Sequence, residues 1–133
     1  MGAREVRAPA LLRFSRGSAL ATGIVLPVLE TWRRFGTGSP FYSWFDDIIA
    51  AGMLLYGWHA GRKALVLGTP YLMAGWGYTF GMAYMSFFGH LDRPQGLDVS
   101  GLPNSWAIGF KGFGLAFAVF NLFAAWRNRY YEE

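Results

Sequence analysis

Six ionisable side chains, Glu30, Asp46, Asp47, His59, His90 and Lys111, lie within or at the ends of long apolar stretches. A charge at membrane depth is costly and needs a partner or water, so such residues are the first place to look for chemistry. Asp46 and Asp47 follow Pro40, which reads as a helix start, by six and seven residues. That places them ~9–10 Å along the second helix. Lys111 follows Pro103 by eight residues, or ~12 Å along the fourth helix. With both helices starting on the same side, an Asp–Lys ion pair joining helices two and four is expected. The two aspartates stand ~100° apart, so one meets Lys111 and the other faces water, a helix terminus or Arg34. An ion pair that fixes helix register is the simplest role for Asp46, Asp47, Lys111 and Glu30. A proton or cation site in the outer half of a bundle is the alternative.

The two histidines suggest a metal or haem, but their spacing separates them. His59 closes the second helix and His90 the third, across a tight turn, which sets them ~35–40 Å apart on opposite faces. They read as an interfacial residue and a cap. Met82 and Met85 near His90 form a low-probability Cu(I) set, since thioether and imidazole ligands suit that ion. Methionine is also an ordinary gap-filler. No metal site is assigned, and the cofactor stays unknown. No Ser/His/Asp set is placed for nucleophilic catalysis, and Gly109-Phe-Lys-Gly-Phe-Gly114 lies inside an apolar span rather than after a strand. The adjacent aspartates are not spaced for acid/base work.

These residues are carried by four apolar segments, at about 11–32, 40–61, 64–91 and 103–126, behind a basic N-terminal arm (1–10). The expected fold is all-α: a polytopic membrane protein, a single domain, a four-transmembrane-helix antiparallel bundle. Short connections make sequential helices antiparallel neighbours. The first segment is the weakest. Its uninterrupted apolar core, Ser18 to Leu29, spans 12 residues, against the ~20 that cross a bilayer. It crosses only if Arg13 and Arg16 snorkel at one end while Glu30 and Trp32 lie at the other interface. A helix lying in the interface is its alternative, and Pro27 is expected to kink it. Leu29 is followed by Glu30, Thr31, Trp32 and Arg33, which is no cleavage site, so the segment reads as an uncleaved span.

Composition agrees with this class. Of 133 residues, 53% are hydrophobic and only 15% charged, and there is no cysteine. That excludes a disordered chain, a disulfide scaffold and a thiolate metal site. The mean hydropathy of +0.23 is mild because glycine, tryptophan and tyrosine score low yet suit membranes. Lys and Arg favour one side. Arg4, Arg7, Arg13, Arg16, Arg62, Lys63, Arg127 and Arg129 fall with the termini; Arg33, Arg34 and Arg93 fall opposite. The positive-inside bias sets both termini in the cytoplasm of a bacterial-type inner membrane. The net charge of +4 points to anionic headgroups and not to nucleic acid.

Small residues mark expected helix contacts: Gly57 and Gly61 on helix two, Gly75 and the GxxxG pair Gly77/Gly81 on helix three, and Gly109, Gly112, Gly114 and Ala118 on helix four. Interfacial belts are expected at Trp32, Phe41, Tyr42, Trp44 and Trp106 outside and Trp58, Trp126, Tyr130 and Tyr131 inside. Phe110, Phe113, Phe117, Phe120 and Phe123 share one face of helix four, against lipid, a pigment or quinone, or a partner. The functional expectation is a non-catalytic accessory or structural subunit of a membrane assembly. Its partners are the lipid bilayer and a membrane protein or a second copy. A small ion- or proton-coupled transporter is the first alternative, and a quinone- or cofactor-associated redox protein the second.

Overall fold

The structure, a computed structural model, describes residues 9–38, 40, 44–92, 95–98 and 101–130. Arg4, Glu5, Arg7, Phe41, Tyr42, Arg93 and Tyr131, which the sequence reading used for the arm, the belts and the charge count, lie outside them. Four helices make up the fold: α1 (Ala10–Arg34), α2 (Phe45–Ala60), α3 (Leu65–Leu91) and α4 (Asn104–Arg127). Among the described residues there is no strand beyond an isolated bridge between Leu97 and Pro103. α1 and α4 begin directly after Pro9 and Pro103, whose missing N–H costs nothing at a helix start. α1 runs through Pro27 and α3 through Pro70.

The helices form an up-down ring. α1 packs on α2, α2 on α3, α3 on α4, and α4 closes onto α1. α2 and α4 lie on a diagonal without contact. α1 stands along α4 rather than across its end. Near one end Ser15 Oγ donates to the Asn121 carbonyl at 3.1 Å, and near the other Lys111 reaches Glu30 at 3.6 Å. Within the bundle this excludes an α1 laid across the base.

Glycine contacts differ from those expected. Gly57, Gly61, Gly68 and Gly75 carry the α2–α3 seam. A Cβ on Gly57 would stand 2.9 Å from Leu72, and one on Gly75 2.8 Å from Leu54. One on Gly68 would collide with the Gly57 carbonyl oxygen and stand 2.8 Å from the Gly61 nitrogen. Gly68 and Gly75 are seven residues apart, so they share a face. Gly77 is turned ~200° from Gly75. Gly77 and Gly81 have no neighbour within 4 Å, nor do Gly109 and Gly114, whereas Gly112 abuts Phe87 at 3.2 Å. The GxxxG pair is therefore not an internal packing motif.

Small and polar side chains fill the interior: Ala19, Ala118, Ala124, Ser15, Thr69 and Asn121 are all buried. Leu12, Leu54, Leu72 and Trp76 are the largest fully buried apolar groups. Phe110 and Phe113 are 74% and 71% exposed, and Val28, Leu29, Phe120 and Phe123 also face outward. Phe117 departs from this phenylalanine face and packs edge-on against Trp76, with centroids 5.7 Å apart.

By length and apolarity, among the described residues, only α4 is fit to cross a membrane. α2 has 16 residues, a rise of ~24 Å against ~30 Å of hydrocarbon. α1 carries Arg13, Arg16 and Glu30, and α3 is diluted by glycine, tyrosine and tryptophan.

Gly68→Ala should lower stability by ~1–3 kcal/mol through overpacking of the seam. Gly77→Ala and Gly81→Ala should be neutral or gain up to ~1 kcal/mol of helix propensity. Thermal unfolding of the three variants in detergent checks this, and a large loss at Gly77 or Gly81 would mark that face as covered.

Candidate functional site

Charges gather where the end of α1, the start of α2, the end of α3 and the outer part of α4 come together. Glu30 lies one turn before the end of α1 and is 7% exposed. Arg33 Nη1 donates to its Oε2 at 2.8 Å and to Oε1 at 3.1 Å. Arg34 Nε donates to Oε2 at 3.1 Å. These are the i,i+3 and i,i+4 positions of one helical face. Lys111 Nζ approaches Oε1 at 3.6 Å from α4.

Lys111 thus pairs with Glu30 and not with Asp46 or Asp47. The expected α2–α4 pair does not form because those helices are diagonal in the ring. The depth match also fails. α2 begins at Phe45 rather than Pro40, so Asp46 and Asp47 stand only ~1.5–3 Å along it. There the helix dipole favours carboxylates. Asp46 Oδ1 accepts the backbone N–H of Asp47 at 3.0 Å, a local cap of the first turn. Asp47 is 9% exposed, and among the described residues it forms no salt bridge.

A second group extends the cluster. Arg33 Nε donates to Asp98 Oδ2 at 2.6 Å, and Arg33 Nη2 donates to Oδ1. Two parallel N–H bonds to one carboxylate make this the strong, planar form of the pair. His90 Nε2 stands 3.1 Å from Asp98 Oδ1, and its Nδ1 2.9 Å from the Ser86 carbonyl oxygen. Both neighbours are acceptors, and which ring nitrogen donates depends on the tautomer. Asp98 N–H donates to the Leu102 carbonyl at 2.8 Å, and Gly101 N–H to the Asp98 carbonyl at 2.9 Å. The loop between α3 and α4 is therefore tied to α1 through Arg33 and to α3 through His90.

Both ring nitrogens of His90 are engaged, so it is not an open ligand beside Met82 and Met85. Met82 lines the cavity described next, and Met85 points outward. Among the described residues no three His, Asp or Glu converge to hold a metal. His59 lies at the opposite end of the α2–α3 hairpin, as its spacing required.

Between the cluster and the packed interior lies a cavity of about 270 Å³. Glu30, Arg34, Asp46, Asp47, Lys111 and Thr79 supply its polar wall, and Trp76, Phe110 and Phe117 its apolar wall. Asp46, Asp47, Glu30 and Lys111 therefore do share one site, across a cavity rather than in one ion pair. Trp76 Nε1 is buried without a hydrogen-bond partner.

Asp98, Arg33 and Trp76 were not singled out in the sequence. Asp98 was findable by charge matching, because Arg33 and Arg34 share its side of the bundle. Comparison with protein-family models, with curated proteins and with solved structures finds no match.

Because Glu30 holds three cations while Lys111 holds one carboxylate, the two deletions are unequal. Glu30→Gln should destabilise by ~3–5 kcal/mol, as loss of a buried charge partner does. Lys111→Met should cost ~1 kcal/mol, because both arginines remain on Glu30. The double variant should be no worse than Glu30→Gln alone, which denaturant titration of all three checks. Asp98→Asn should leave the helices intact and speed amide exchange at Gly101, Leu102 and Asn104, read by hydrogen–deuterium exchange.

Proposed function

We propose that the protein is a small integral membrane protein of the bacterial inner-membrane type, in which α1, α2 and α3, short or polar as single spans, cross as a bundle with α4, with both termini cytoplasmic. It acts as a non-catalytic accessory subunit whose outer-half cavity takes up a proton or a small cation without conducting it. The membrane reading is supported by the distribution of side chains. Alanine, serine and threonine pack inside beside four leucines and Trp76, while most of the phenylalanines and the valines Val25, Val28, Val66 and Val119 face out. Helices packed in lipid show this arrangement, because hydrocarbon does not drive large apolar groups inward. Arginines lie over aromatic rings at the end bearing the termini: Arg16 and Arg62 each at 5.5 Å from Trp58, and Arg129 at 4.4 Å from Trp126. Basic side chains reach for an interface in this way.

The observation that carries the site is Asp47, a buried carboxylate on a charged cavity with no ion-pair partner among the described residues. Such a group takes a proton or a cation to offset its burial. The accessory reading is favoured over transport because the cavity ends on Trp76 and Phe117. Below them Leu12, Leu54, Leu72, Ala118 and Ala125 are closely packed.

Purified protein should gain thermal stability from one of H⁺, Na⁺ or K⁺, and Asp47→Asn should remove that dependence. Proteoliposomes should show proton and cation flux no greater than empty vesicles. Flux above that level, abolished by Asp47→Asn, would replace the accessory reading by transport. Stability independent of all three ions would remove the site.

A further inference from the structure

The opposite end of the molecule holds a second cleft that the charged cavity does not involve. It has a volume of about 590 Å³ and lies where the last turn of α2 passes into the first turns of α3. His59, Arg62 and Lys63 form one wall, and Tyr56, Leu67 and Tyr71 the other. Among the described residues no acidic side chain lines it. We propose that this cleft binds the phosphate of an anionic phospholipid, with Tyr56, Leu67 and Tyr71 receiving the adjoining glycerol and acyl chain. The proposal rests on the membrane reading above and is independent of the Asp47 site.

Four features point to this ligand. First, the basic residues are adjacent in a turn of fixed shape: Gly61 N–H donates to the Gly57 carbonyl at 3.1 Å and Arg62 N–H to the His59 carbonyl at 3.1 Å. Arg62 is further placed by its stacking on Trp58. Second, the negative end of the α2 dipole, which would repel a phosphate, is engaged elsewhere. Arg16 donates to the Trp58 carbonyl through Nε at 3.2 Å and through Nη2 at 3.1 Å. The positive end of the α3 dipole, at Leu65, opens on the same turn. Third, Tyr56 and Tyr71 meet edge to face with centroids 4.6 Å apart, and both are about half exposed, as is Leu67. The basic turn therefore continues into an apolar, aromatic strip along the helices, matching a charged headgroup followed by hydrocarbon. Fourth, the cleft lies at the cytoplasmic end, where basic pockets between helices meet anionic lipid. A volume of this order holds a headgroup and the start of its chains.

Full-length protein in mild detergent, given equal amounts of phosphatidylglycerol and phosphatidylcholine, should retain the anionic lipid by about 30-fold in native mass spectrometry. That is the preference two basic side chains confer at a membrane surface. The Arg62→Gln/Lys63→Gln variant should fall to near parity, and the Arg62→Lys/Lys63→Arg variant should keep the preference. A photoactivatable phosphatidylglycerol should label the peptide carrying Leu67 and Tyr71, which reads the site without any variant. Equal retention of both lipids, or a preference surviving in the Gln pair, overturns the proposal. So does displacement by inorganic phosphate at the lipid's own concentration, which would mark a site for the free anion. Asp47→Asn should leave every one of these readings unchanged. Failure of the chain to insert into vesicles would remove the membrane reading itself; insertion without lipid preference removes only this site.

Discussion

Glu30 is the group on which the charged end of the bundle depends. A carboxylate buried near a helix end must be compensated, and here three cations do so. Two come from its own helix and are almost fixed by spacing. The third, Lys111, is supplied by α4, and that pair sets the height of α1 against α4. Arg33 then reaches past Glu30 to Asp98, so the same charge balance holds the α3–α4 loop across the end of the bundle. The cavity exists because these long side chains meet at its rim while the helices remain apart below them.

The other end follows a different rule. There the helices approach until backbone meets backbone, at Gly57, Gly61 and Gly68. Ser15 and Asn121 add a polar clasp between α1 and α4, with the Asn121 amide also donating to the Phe117 carbonyl. A bundle pinched at one end and propped open by charges at the other places the acid-lined cavity at the propped end. The packed cluster of Leu12, Leu54, Leu72 and Trp76 is the reason for proposing uptake without passage.

Much of this was legible in the chain. Proline and glycine marked the turns, and the four helices fall within a few residues of their expected limits. The exception is α2, where Pro40 resembled a helix start and Phe45 is the true one. That error moved Asp46 and Asp47 from mid-helix to the first turn. Lys111, Glu30 and the two aspartates line one cavity, but their pairing was not legible. Depth along a helix is a one-dimensional quantity, whereas partners are set by which helices are neighbours in the ring. Asp98 escaped because its loop has no period to place it. The GxxxG pair misled for a related reason: the spacing of Gly77 and Gly81 says that they share a face, not which face.

Among the described residues the two ends of the bundle differ in charge: carboxylates and cations are mixed at the Glu30 end, and cations line the cleft at the other. Carboxylates occupy the outer cavity and its rim, at Glu30, Asp46, Asp47 and Asp98. The opposite end carries arginine, lysine and exposed aromatic rings, and among the described residues no acidic one lines its cleft. On the membrane reading proposed above, these two ends would face different aqueous phases. That sorting does more than orient the helices. A topology signal requires only that basic residues be counted on one side. It does not require a buried carboxylate without an ion-pair partner at one end, or a guanidinium held over an indole beside an open cleft at the other. Those two placements are what the two binding proposals rest on.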